Sequence, residues 1–230
     1  MGIGNILVFA QVVFFFCVFF LSFFFYIPMS VNVGDFKGNC LLNADGKWER
    51  NQSAGDQTAQ LQIVQWGSQG SCNFAVFIGV IEMILGAIYV VWESMHLCKG
   101  TDSLWLEAFI TCMVCCVVMV MVFAAALTIS SGFQVWCALL LKPGSEIHSC
   151  EQGQYIPFAS ELGLNTSRYF TDLQIAQFGA WSSWFCWVAL SMLAIVKIYR
   201  YSKQEAFLTS MNQERERLLQ RLGPPSEENI

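Results

Sequence analysis

The sequence predicts an all-α membrane fold: a four-transmembrane-helix bundle carrying a small, disulfide-stapled extracellular β-sheet. Three observations predict it. The chain is 55% hydrophobic and 13% charged, with 20 Phe and 8 Trp, more apolar surface than a soluble core of this size can bury. Four long segments are nearly free of charge, each long enough to cross about 30 Å of hydrocarbon as a helix. The two long connections each hold a cysteine pair and an Asn-x-Ser/Thr sequon, marks of an oxidising, glycosylating compartment. Helices are expected rather than strands, because in lipid a helix satisfies its own backbone hydrogen bonds.

Span one covers about 6–27 and is uncharged from Ile6 to Ile27. It lacks a basic n-region, and Pro28 sits where a cleavage site wants small residues, so it reads as a retained signal-anchor. Gly2 is not followed by Ser or Thr at position 6, so the myristoylation pattern is missing. The first extracellular loop, 28–73, reads as a small sheet. Asn39 to Leu42 and Lys47-Trp48 flank Asn43-Ala44-Asp45-Gly46, whose Asp-Gly is a hairpin signal. Ala59 to Trp66 alternates as a third strand, and Asn51 to Thr58 between them is polar and turn-like. Trp48 and Trp66 are expected either at the membrane interface or inside this sheet.

Span two, about 74–96, is interrupted by Glu82, and span three, about 104–131, by nothing charged beyond Ala108. The second extracellular loop, 132–172, contains Lys142-Pro143-Gly144 and looks irregular. Span four covers about 173–199 and completes a membrane domain over 1–200. The tail, 201–230, suits a helix to about 222, with Phe207, Leu208, Met211, Leu218, Leu219 and Leu222 on one side. Arg200, Lys203, Arg215, Arg217 and Arg221 suit either anionic lipid or a coiled-coil partner. Gly223-Pro224-Pro225 stops the helix, and Ile230 is a candidate PDZ-binding terminus against the alternative of an inert tail.

Of 12 Lys and Arg residues, six lie at the end of span four or beyond it (Lys197, Arg200, Lys203, Arg215, Arg217 and Arg221). That cluster beside the membrane places the C-terminus in the cytosol. Four spans then return the N-terminus to the cytosol and put both long loops outside, where Asn51 and Asn165 are candidate glycosylation sites. Outside lie Cys40, Cys72, Cys137 and Cys150, which permit three connectivities. Pairing within each loop, Cys40 with Cys72 and Cys137 with Cys150, is favoured. Closing the first loop stabilises the fold by about 3–4 kcal/mol in the chain-entropy model.

Glu82 is the intramembrane polar residue that stands out, because such groups are costly and often functional. Gly79 and Gly86 share its helical face. It reads either as a proton or ion site or as a structural carboxyl bonded to Ser182 or Ser183. Cys112-x-x-Cys115-Cys116 lies in a span without a nearby His or acid and reads as packing rather than as a metal site. Cys98 is a candidate for palmitoylation. His96 and His148 fall on opposite sides of the membrane, no glycine-rich phosphate loop occurs, and no paired carboxylates are placed where a substrate could enter. A non-enzyme without metal or cofactor is expected.

Several stretches carry a resemblance: Phe9-Ala10-Gln11, Asp35-Phe36-Lys37-Gly38-Asn39-Cys40-Leu41-Leu42, Gln65-Trp66-Gly67, Leu97-Cys98-Lys99-Gly100, His148-Ser149-Cys150-Glu151, and Gln174-Ile175-Ala176-Gln177-Phe178-Gly179-Ala180-Trp181. Through them nearly the whole chain resembles the transmembrane protein 179 family. The resemblance implies a neuronally biased multi-pass protein with no catalytic residues to carry over. Trp48, Trp66-Gly67 and Cys72 distantly resemble the claudin and calcium-channel gamma-subunit pattern. Gly-Leu-Trp is absent and Cys40 precedes both tryptophans, so pore and junction functions do not transfer. Synaptophysin-like vesicle proteins are similar in architecture alone.

The function expected is that of an auxiliary or scaffold partner of other membrane proteins. A vesicle or membrane-organising trafficking protein is the alternative, and a proton-coupled transporter centred on Glu82 a third. Expected partners are membrane lipids and another integral membrane protein, with no nucleic acid and with homo-oligomers left open. The plasma membrane or a secretory or vesicle membrane is the expected residence.

Overall fold

The computed structural model describes residues 3–50, 59–99, 105–145, 147–155 and 164–222. Four helices form the bundle: α1 (Ile3–Asp35), α2 (Gln69–Lys99), α3 (Trp105–Leu140) and α4 (Tyr169–Leu222). All four are long and apolar enough to cross a membrane. Two strands, β1 (Cys40–Arg50) and β2 (Ala59–Gly67), pair antiparallel between α1 and α2. A 3-10 turn, Gln152–Gln154, lies between α3 and α4.

α1 packs along both α2 and α4, and α3 packs along α4. Glycines let α1 approach. A Cβ on Gly79 would lie 2.7 Å from Tyr26 Cβ, and one on Gly179 would lie 2.8 Å from the Phe24–Phe25 backbone. Small residues at such crossings bring two helices into direct van der Waals contact, which substitutes in lipid for a hydrophobic driving force.

The helices overrun the apolar segments expected to span. α1 continues past Pro28 to Asp35, α2 begins at Gln69, and α3 continues to Leu140. Cys72 therefore sits in the first turn of α2 and Cys137 in the last turns of α3, not in loops. The reason is tertiary: the sheet packs among these protruding ends and buries Phe36, Leu41, Leu42, Trp136 and Leu140 in one core with the bundle. α1 stops where Gly38 N donates to Val33 O (2.8 Å) and Lys37 N to Gly34 O (2.9 Å), with Lys37 and Gly38 both at positive φ. These two bonds satisfy carbonyls that the helix end would otherwise leave unpaired.

The strand-turn-strand expected at Asn39–Trp48 is corrected. β1 is continuous, and Asn43–Gly46 forms a bulge rather than a hairpin. The register runs Cys40↔Gly67, then Asp45↔Gln65 and Gly46↔Ile63, so extra residues accumulate on β1. The expected third strand is β2, and the polar stretch 51–58 lies outside the described residues. The bulge prevails because it turns Leu41, Leu42 and Ala44 inward, all with no exposed surface. Leu42 then meets α3 at Gly132, where an added Cβ would come within 2.6 Å of it. Gly67 is required opposite: a Cβ there would collide with the Leu42 carbonyl oxygen. A hairpin at the same Asp-Gly would leave these side chains in water.

Both expected disulfides form, Cys40–Cys72 and Cys137–Cys150. The first ties the start of β1 to α2, and the second ties α3 to the segment before α4. Tyr169 at the start of α4 donates to Cys150 O. Trp48 and Trp66 belong to the sheet core: Trp48 Nε1 donates to Leu139 O at 3.1 Å, and Trp66 meets Phe36 edge to face.

Candidate functional site

Glu82 lies midway along α2 and is fully buried. Trp187 Nε1 donates to its Oε1 at 2.6 Å, and Ser183 Oγ lies 3.3 Å from its Oε2. The two donors are one turn apart on α4, so a single helical face delivers both. Ser183 shares its hydroxyl with Ala180 O at 3.2 Å, the carbonyl three residues back. Of the two serines expected as partners, Ser183 is the one bonded. Phe15 covers the group from α1, edge-on to Trp187 at 6.1 Å and stacked on Tyr89 at 4.7 Å. The face that carries Glu82 also carries Gly79 and Gly86, and α1 closes over it through Tyr26 and Phe19. No ion pair to Glu82 occurs among the described residues. This enclosed carboxyl, with two hydrogen-bond donors from α4 and no counter-charge among the described residues, links α2 to α4.

A second buried polar group lies nearer the opposite end from the sheet, and sequence reasoning missed it. Lys197 of α4 extends Nζ to Glu93 Oε2 of α2 at 3.6 Å and to Gln11 Oε1 of α1 at 3.3 Å. All three residues are less than a tenth exposed. Lys197 reads from sequence as one more basic residue beside the membrane, and Glu93 as the polar end of span two. The signal lay in Gln11, an amide deep in an otherwise apolar span. Lys197 is thus ion-paired to Glu93 and hydrogen-bonded to Gln11, while Glu93 Oε2 has no hydrogen-bond partner among the described residues.

Other polar clasps join the remaining neighbours. Gln177 Nε2 and Trp181 Nε1 of α4 both donate to Ser130 Oγ of α3, at 2.9 and 3.0 Å. Both donors fall in the stretch Gln174 to Trp181, which gives that stretch a physical role. His96 Nε2 at the end of α2 lies 3.7 Å from Glu107 Oε2 of α3. His148 is exposed beside Gln152, whose Oε1 accepts from His148 N. The two histidines stand at opposite ends of the bundle.

Cys112 and Cys115 are buried and unbridged in α3, with Cys116 half-buried beside them. No cluster of three or more His, Cys, Asp or Glu placed to hold a metal occurs among the described residues. Cys98 is exposed at the end of α2. Asn165 is exposed, donates from Nδ2 to Asp35 Oδ1 at 3.4 Å, and accepts from Ser167 Oγ at 2.7 Å. Asn51 and Ile230 lie outside the described residues.

On the surface of the sheet, Lys142 Nζ bonds Asp45 Oδ1 at 3.1 Å and Gly46 O at 3.3 Å. The Lys142 hydrogen bond, the Gly46 amide and the Lys142 charge hold the Asp45 carboxyl below its ordinary value of 3.8. This contact pins the bulge of β1 to the segment after α3.

Comparison with known proteins gives the family. Residues 7–219 match the transmembrane protein 179/179B claudin domain. The chain is similar to transmembrane protein 179B of Danio rerio, 22% identical over 179 residues that make up 76% of each chain. No solved structure matches it. Four apolar helices, a two-stranded sheet and a disulfide from sheet to helix are thus the features of a known family, and the chain belongs to the transmembrane protein 179/179B claudin-domain family of multi-pass membrane proteins.

Proposed function

We propose that the chain is a non-catalytic partner subunit that binds other integral membrane proteins sideways, within the bilayer. The observation that carries this reading is the outward face of α1. Phe9, Val13, Phe16, Phe20, Phe24 and Ile27 recur three to four residues apart and are all exposed, a continuous and largely aromatic ridge on one side of the helix. Phe16 and Phe20 already pack on each other at 4.6 Å. A ridge whose rings hold one another loses little conformational freedom when a second helix packs against it.

The state of Glu82 supports binding over transport. Its two oxygens have donors from α4, and Phe15, stacked on Tyr89, meets the donor Trp187 edge-on, whereas a transported proton needs polar groups in series. Within this reading the protein has no enzymatic role. The sheet and both disulfides face the extracellular or lumenal side, and both termini face the cytosol of a plasma or secretory-pathway membrane. The family resemblance favours neurons as the cells in which to look.

The test is purification of the full chain from neuronal membranes in mild detergent, with a photo-reactive group at Phe20. Recovery and cross-linking of one integral membrane protein in stoichiometric amount is the expected result. Labelling of lipid alone sinks the proposal. Proton flux in proteoliposomes that disappears in Glu82→Gln, with folding intact, would establish transport instead.

A further inference from the structure

α4 is one uninterrupted helix of 54 residues. At about 1.5 Å per residue it is roughly 80 Å long, far more than the about 30 Å of a hydrocarbon core. From Lys197 to Leu222 the sequence contains neither Gly nor Pro, the residues at which helices bend sharply. The helix therefore leaves the bilayer as a straight rod, and Met211 stands about 20 Å beyond Lys197 along its axis. An apolar stripe on that rod is carried away from lipid.

Such a stripe is present. Phe207, Leu208, Met211, Leu218 and Leu219 are each between 55% and 63% exposed. Gln204, Leu208, Met211, Arg215 and Leu218 follow the alternating four- and three-residue spacing of a coiled-coil seam, with Leu208 and Arg215 at a positions and Met211 and Leu218 at d positions. Phe207 and Leu219 flank the seam at g and e. We propose that the projecting part of α4 pairs with the same segment of a second copy of this chain, as a short parallel two-stranded coiled coil.

Two arguments select a second copy. The first is charge. In a parallel, in-register pair, Arg215 at the seam faces Arg215 of the other copy and is flanked by that copy's Glu214 at g, which offsets the like charge, and Arg200 at g lies across from Glu205 of the other copy at e. Each chain supplies both halves of both pairs, so the surface complements itself. The second is geometry. Copies inserted in one membrane share one orientation, so their rods leave it at the same height and in the same direction, which fixes a parallel alignment and its register. Confinement in the bilayer also raises the effective concentration that so short a seam needs. The pairing is independent of the lateral partner of α1.

The test uses the full chain in cell membranes, with Cys98→Ser to remove the exposed thiol. Single cysteines are introduced at seam positions, Met211→Cys or Leu218→Cys, and on the opposite face, Ala206→Cys or Gln213→Cys. On mild oxidation with copper phenanthroline, the seam variants give on the order of five-fold more dimer than the outer ones. A charge arm guards against a cysteine that weakens the seam. Two differently tagged copies cease to co-purify when both carry Arg215→Glu, and again when both carry Glu214→Arg. Mixing an Arg215→Glu chain with a Glu214→Arg chain restores co-purification. Cross-linking equal on all faces, an absence of dimer, or no rescue in the mixed pair overturns the proposal. So does protection of Met211→Cys from a water-soluble maleimide without dimer formation, the result expected of a helix lying on lipid.

Discussion

Glu82 illustrates how a buried acid can serve as a fastening. Glu82→Gln keeps an acceptor for Trp187 and a polar group within reach of Ser183, so the unfolding temperature in detergent is expected to stay close to that of the parent. Glu82→Leu leaves the Trp187 indole N–H without an acceptor and is expected to cost about 1–2 kcal/mol. Thermal unfolding of the two variants side by side checks the difference. If both lose the same amount, the hydrogen bonds are not what holds α2 to α4. Asp45 carries a prediction about pH. Because its folded carboxyl titrates below 3.8, its contribution is fully present above the unfolded value and is lost as pH falls through the lower, folded value. The contact of Lys142 with the β1 bulge should thus outlast the titration of ordinary aspartates. Amide exchange at Gly46 between pH 5 and 3 reads this, and early loss of protection above pH 3.8 would contradict it.

Among the elements, α1 depends most on the absence of side chains opposite it. Gly179→Ala would set a Cβ 2.8 Å from the backbone of Phe24 and Phe25, which cannot move aside as a flexible side chain could. A loss of about 1–3 kcal/mol is expected. Gly34→Ala is the control, since nothing lies within 4 Å of its added Cβ, and it should be neutral or stabilising by up to about 1 kcal/mol. Equal effects from the two substitutions would mean that helix propensity, not close approach, governs the site. The elements also mark where sequence reasoning succeeds. Uninterrupted apolar runs make four helices legible, and cysteines separated by such runs make their pairing legible. The overrun of α1 beyond Ile27 and of α3 beyond Ser131 was not legible, because those turns are stabilised by the sheet packed among them. The Asp-Gly at 45–46 misled for the same reason: its local preference for a tight turn yields to the burial of Leu41 and Leu42. Trp187 was overlooked because a tryptophan in a span suggests an interfacial anchor, while its role as a donor to Glu82 depends on how α4 is rotated against α2.

For the whole molecule, the disulfides and the polar clasps divide the task. Cys40–Cys72 joins partners 32 residues apart and Cys137–Cys150 partners 13 apart, so each constrains one end of the fold near the sheet. Lys197, Glu93 and Gln11 bind three helices at the other end. Lys197→Met should leave Glu93 enclosed without its cation, a change expected to cost about 3–5 kcal/mol. Combining it with Glu93→Leu should recover most of that loss, because an apolar pair of similar volume removes the orphaned charge. Unfolding of the single and double variants in the same detergent decides the matter, and a double variant no better than the single would show that the pair was not coupled.

One consequence of α4 concerns the order in which the chain is made. Glu82 waits for Trp187 and Ser183, Glu93 and Gln11 wait for Lys197, and Ser130 waits for Gln177 and Trp181. Every one of these donors lies on α4, which leaves the ribosome after α1, α2 and α3. Until α4 inserts, the three earlier spans hold an acid, an amide and a second acid with none of these partners in the bilayer, a state that insertion chaperones and membrane proteases can tell from the finished protein. The arrival of α4 brings all of these partners to the three earlier spans together.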